Sequence, residues 1–197
     1  LTKKNIKNAF RLKAVPFKVV WRIMLMAVLL LPTVAVANLT TIFFIEMFGS
    51  TIMPPIPTAQ TGAEFIVLFL VIAGSAGLCE EFFFRGAVLN GYEMEVGKKW
   101  GAVFSGLLFG IFHFNPQNII GPIVLGIFFA YLVQLTGSIF AGVIAHMTNN
   151  GIAVTAGYLV NRFDQNTDLP VEQSDVLFES TGAIAAAIGI YAVIAVF

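Results

Sequence analysis

Apolar positions in this chain fall into long runs separated by short polar clusters. The runs lie near 23–45, 63–90, 100–114, 118–135, 138–160 and 181–197. Between them stand Met53-Pro54-Pro55-Ile56-Pro57, Lys98-Lys99, Asn115-Pro116-Gln117-Asn118 and an acid-rich stretch over 161–180. About 20 apolar residues in a helix cross a bilayer core of about 30 Å. The pattern predicts an all-α fold, a polytopic transmembrane helical bundle of about six membrane segments. It forms a single membrane-embedded domain over 1–197 with its chemistry-bearing core at 63–160. The run 100–114 is short for a crossing and ends at a polar break, which membrane depth tolerates only where protein or a water-filled cavity covers it. A wet pocket near Asn115 is therefore expected. The last run breaks off at Phe197 and the chain opens on Leu1, so a piece of a longer protein, with further helices, is expected.

Composition strengthens the membrane reading: 58% of residues are hydrophobic, 11% are charged and the mean hydropathy is +0.88. The net charge of zero hides an asymmetry. Lys3, Lys4, Lys7, Arg11, Lys13, Lys18 and Arg22 precede or open the first apolar run, and residues 1–22 hold no acid. By the positive-inside rule this arm is cytoplasmic, and the long apolar run directly behind it argues against nucleic acid as its partner. Lys98 and Lys99 then fall inside, while the proline-rich stretch and 161–180, with one arginine and five acids (net −4), fall outside. The expected location is the cell membrane, as a multi-pass protein. Cys79 is the only cysteine, so no internal disulfide is possible. The first apolar run is too long, and lacks the small-residue site, for a cleavable signal peptide.

Small residues recur at helical spacing. Gly106 and Gly110 form a GxxxG, and Ala73-Gly74-Ser75-Ala76-Gly77 is a small-residue patch; both let helix backbones approach closely.

The informative positions are ionisable groups inside apolar runs. Nine of the eleven acids lie in loops or at helix ends, which leaves Glu80 and Glu81 in the second run with Arg85 a turn later. An ionised side chain at the bilayer centre costs about 2.5–3.5 kcal/mol, so such groups need partners or a function. Glu81 and Arg85, at i and i+4, share a helix face and can pair. Glu80 points about 100° away and stays available as a general base or acid. The chain's two histidines, His113 and His146, also fall in apolar runs, with Phe109 and Asn150 on their respective faces at i−4 and i+4. A carboxylate and an imidazole hold and deprotonate water, while a second imidazole and a carboxamide stabilise an oxyanion. No GxSxG elbow appears, and a thiol in apolar surroundings makes Cys79 a poor nucleophile. A zinc site of Glu80, His113 and His146 is the alternative; without an HExxH pattern, the expectation is no cofactor.

Glu80-Glu81-Phe82-Phe83-Phe84-Arg85, Phe109-Gly110-Ile111-Phe112-His113 and His146-Met147-Thr148-Asn149-Asn150 resemble, in order, the EExxxR, FxxxH and HxxxN motifs of the CAAX protease and bacteriocin-processing family. The resemblance covers residues 80–150 and implies a helical membrane fold whose cavity opens to the membrane and to one aqueous side. It implies an intramembrane endopeptidase in which Glu80 and His113 activate water, His146 and Asn150 form the oxyanion site, and Glu81 and Arg85 support them, with no metal. Its partners would be the lipid bilayer and a peptide or membrane-protein substrate. Whether that substrate is prenylated does not follow, because bacterial relatives include peptide-maturation, immunity and regulatory proteins. Two other classes fit a polar cluster in a bundle: a non-catalytic membrane partner, such as an immunity factor or sensor scaffold, and a proton-coupled transporter. The paired broken helices of many transporters are absent from the pattern.

Overall fold

The computed structural model describes residues 6–50 and 57–164, which are helical with turns between and contain no strand. A short helix α1 (Ile6–Ala9) leads into α2 (Phe17–Glu46). The next helical stretch runs through α3 (Gly62–Leu68), a π-helical segment Phe69–Ser75, α4 (Ala76–Glu81), a second π-helical segment Phe82–Val88 and α5 (Leu89–Ile111). A 3₁₀ turn, Pro116–Asn118, precedes the antiparallel pair α6 (Ile120–Thr136) and α7 (Ile139–Asp164). Helices are the expected solution in lipid, where each backbone polar group must be satisfied within the chain.

Among the described residues, two stretches are long and apolar enough to cross a membrane: Phe17–Glu46, whose most apolar 18 residues have mean hydropathy 2.2, and Gly62–Ile111, with 2.0. The outer side of α2 supports this, because Leu25, Leu29, Leu39 and Phe43 are all exposed. A surface of that kind calls for lipid or protein cover. The expected runs 63–90 and 100–114 are two arms of one stretch that bends at Gly97, whose φ of 80° is open to glycine and costly for other residues. The expected runs near 118–135 and 138–160 appear as α6 and α7. The run 181–197 lies outside the described residues, as does most of the acid-rich stretch.

Local chemistry sets several boundaries. Thr61 caps α3, accepting from the Glu64 N–H at 3.2 Å, while the Glu64 carboxylate reaches back to the Gln60 N–H at 2.9 Å. Gly137 ends α6 in the left-handed conformation, φ 64°, and Ser138 accepts from the Phe140 N–H at 3.2 Å to open α7.

Ile23 and Ala27 of α2, Leu125, Phe129 and Leu132 of α6, and Ala141 and Ala145 of α7 form the core of the bundle. Glycine brings α5 and α6 together: a Cβ on Gly126 would lie 2.8 Å from Gly106 Cα, and one on Gly110 would meet Ile123. The GxxxG is thus a site of backbone contact. At one end of the bundle the amino-terminal arm is tied down by Asn90 to the Ala9 carbonyl, by the Ile139 N–H to the Arg11 carbonyl at 3.1 Å, and by an Arg11–Glu93 ion pair. Gln134 Nε2 bridges Glu93 and the Lys98 carbonyl, each at 2.8 Å. The two basic stretches therefore occupy the same end.

Gly126→Ala forces a backbone contact apart, and thermal unfolding in detergent is expected to register about 1–3 kcal/mol of destabilisation. Gly91→Ala, in the same bundle with nothing within 4 Å of the added Cβ, is expected to be neutral or stabilising by up to about 1 kcal/mol.

Candidate active site

Glu80 and Glu81 stand at the end of α4, and two close approaches bring that end to α7. A Cβ on Gly77 would lie 3.0 Å from Met147 Cγ, and one on Gly142 would run into the Glu81 carboxylate. Glu81 and Arg85 are both fully buried and paired, with Oε1 2.8 Å from Nη1. The same Oε1 lies 3.0 Å from His146 Nδ1. Arg85 Nη2 donates to the Gly126 carbonyl at 2.9 Å, and its guanidinium lies 4.5 Å from the Phe109 ring centre and 5.3 Å from that of Phe129. Two opposed charges with aromatic faces around the cation make this burial tolerable.

His146 is buried, stacked on Phe129 at 5.2 Å and edge-on to Phe109 at 5.7 Å. An ionised carboxylate only accepts hydrogen bonds, which assigns a proton to Nδ1. The other nitrogen, Nε2, faces Glu80 Oε2 at 4.0 Å. Glu80 is the more accessible of the two acids, its side chain 36% exposed against 0% for Glu81. It lines a cavity of about 450 Å³ together with Cys79, Phe83, Phe84, Phe112 and His113.

His113 lies in the turn after α5 and is exposed, whereas the hydropathy pattern placed it within an apolar helix. The cause is Asn115-Pro116. A residue before proline avoids helical geometry, and Phe114, at φ 49°, turns the chain just after His113. Phe109 and His113 meet as their shared face implies, with ring centres 4.8 Å apart, and His113 Nδ1 donates to the Phe109 carbonyl at 2.8 Å, which leaves the lone pair of the neutral ring on Nε2. Asn115 caps the 3₁₀ turn, accepting from the Gln117 N–H at 3.1 Å. The cavity is at Phe112 and His113, beside the polar break.

Asn150 follows His146 by one turn of α7. Its Nδ2 donates to the Ile72 carbonyl at 3.0 Å, and its Oδ1 accepts from Asn149 Nδ2 at 3.2 Å. Ile72 lies in the first π-helical segment, where the Ala76 N–H bonds Val71 and so turns away from Ile72, its partner in a regular α-helix. The fold therefore brings Glu80, Glu81, Arg85 and His146 into one cluster and sets Glu80 and His113 on one cavity. Asn150 and His146 do not line that cavity. Among the described residues, no three His, Cys, Asp or Glu side chains are grouped so as to hold a metal ion.

Two supporting residues escaped the sequence reading. Phe129 gave no signal, being one aromatic in an apolar run. Gly142 precedes His146 by four residues, on the same helix face, and that spacing could have marked it as the neighbour of whatever His146 contacts.

Residues 62–152 match the family model of type II CAAX prenyl endopeptidase Rce1-like proteins, a span that holds Glu80, Glu81, Arg85, His113, His146 and Asn150. No curated protein and no solved structure matches the chain.

Arg85→Met leaves the buried Glu81 charge without its cation and is expected to cost about 3–5 kcal/mol in unfolding measurements. Glu81→Gln combined with Arg85→Met is expected to be more stable than Arg85→Met alone.

Proposed function

We propose, from the match of residues 62–152 to the Rce1-like family model, that the chain is an intramembrane endopeptidase that hydrolyses a peptide bond with a water activated by Glu80 and His113. One observation carries this reading: Glu80 and His113 share a cavity, and His146 Nε2 lies 4.0 Å from Glu80 Oε2. The Glu80 carboxylate and His113 Nε2 offer two acceptors for the two hydrogens of one water. Attack on the scissile carbonyl passes a proton to Glu80, which then delivers it to the departing amine.

The oxyanion formed meanwhile needs donors. His146 supplies one from Nε2 when both of its nitrogens carry protons, with Glu81 as countercharge at 3.0 Å while Glu80 holds the proton taken from water. Asn150 supplies the second from the Nδ2 hydrogen not given to Ile72. Glu81 and Arg85 act through His146, holding its ring in place. The substrate in this reading is a peptide or the tail of a membrane protein. In this reading the chain crosses the membrane about six times, with the basic end on the cytoplasmic side.

Purified protein in detergent or vesicles should cleave a tail-bearing substrate. Glu80→Ala is expected to lower kcat by about 10²–10⁴, and cleavage at the unsubstituted rate removes the base from the reading. Asn150→Ala, with its helix intact by circular dichroism, is expected to lose about 10²–10³ in kcat. The reading assigns no metal to the reaction, so cleavage should persist after exhaustive chelation with residual zinc quantified; loss of activity restored by zinc would transfer the water to an ion.

A further inference from the structure

Away from the Glu80 cavity, a groove of about 570 Å³ runs between α5 and α6. Its wall changes character along its length. Lys99, Tyr131 and Gln134 stand at one end, and Val103, Phe128 and Val124 line the rest. Trp100 and Tyr131, each 54% exposed, mark that end as the level of the membrane interface, where amphipathic aromatic rings settle. From Gln134 to Val124, α6 rises about 15 Å, roughly half of an about 30 Å hydrocarbon core. The groove is thus one leaflet deep. A partner's spanning helix would need the whole thickness, whereas a single lipid needs one leaflet.

The polar end is also positive. Lys99 has no ion-pair partner among the described residues, Lys98 is next to it, and the basic arm is docked at the same end by the Ser138 hydroxyl on the Lys13 carbonyl. Of the acids in this region, Glu93 is taken by Arg11 and Gln134, which leaves Glu95. Anionic headgroups collect at such clusters, with about 1 kcal/mol of attraction per basic residue near the surface.

We propose that this groove binds one anionic phospholipid from the leaflet on the side of the basic arm, its phosphate at Lys99 and an acyl chain along Val103, Phe128 and Val124. The site is separate from the peptidase reading and stands or falls without it. The test places a photoreactive benzoylphenylalanine at position 103 of the full chain in mixed phosphatidylcholine–phosphatidylglycerol nanodiscs, with adducts weighed by mass spectrometry.

The expected result is a phospholipid adduct in which phosphatidylglycerol exceeds its share of the bilayer by about fivefold, the factor that one lysine supplies. Lys99→Gln should return the ratio to the bilayer share, and Lys98→Gln, outside the groove, should leave it enriched. Adducts in bilayer proportion, a ratio unmoved by Lys99→Gln, or cross-linking to a second copy or another protein would each overturn the proposal. Native mass spectra of the unsubstituted chain give the same comparison without any variant: retention of the two lipids in proportion to their supply also rejects it.

Discussion

A buried ion pair organises the centre of this bundle. Glu81 and Arg85 have no access to solvent, and an ionised side chain in hydrocarbon is costly unless its charge is met. Meeting it draws in the rest of the molecule. Glu81 engages His146 on α7, Arg85 donates to the Gly126 carbonyl of α6, and the rings of Phe109 and Phe129 close around the cation. One local pair thereby ties the second π-helical segment, α5, α6 and α7 into a single arrangement. It also gives His146 a defined ring orientation.

The pair depends in turn on close helix approach. Gly142 leaves space for the Glu81 carboxylate, and the contact of Gly126 with Gly106 brings the Gly126 carbonyl within reach of Arg85. In lipid, where burial of apolar surface gives helices little reason to associate, small residues and buried polar contacts are the available adhesives. Here they lie side by side. The π-helical segments on either side of α4 add a third ingredient, because their altered ladder turns the Ala76 N–H from Ile72 and the Asn150 amide takes a place on that carbonyl.

Glu80 and Glu81 are neighbours with opposite surroundings. Glu81 is enclosed and opposed by a cation, so its charge serves structure. Glu80 borders a cavity with His113, its side chain 36% exposed and its Oε2 4.0 Å from His146 Nε2. Adjacent acids pointing to different sides of one helix let a membrane protein keep an enclosed carboxylate and an open one within a single turn.

Much of this was legible along the chain. Runs of apolar residues imply helices because lipid offers the backbone no other partner, and the i, i+4 spacing of Glu81 with Arg85 and of Phe109 with His113 implies contacts that the structure contains. The match of residues 62–152 to the family model was legible too, since EExxxR, FxxxH and HxxxN are local patterns. What periodicity could not supply were relations between distant segments. That His146 turns to Glu81 with one nitrogen and to Glu80 with the other, that Phe129 lies under both His146 and Arg85, and that Gly142 is a space for a carboxylate depend on how α4, α6 and α7 pack. The placement of His113 in a turn was likewise lost on hydropathy, because an average over a window passes smoothly across the break that Phe114 and Pro116 impose. Sequence determined which groups lipid would force to find partners; the packing of the helices decided which partners they found, because contacts such as that of His146 with Glu81, 65 positions apart, leave no periodic trace along the chain.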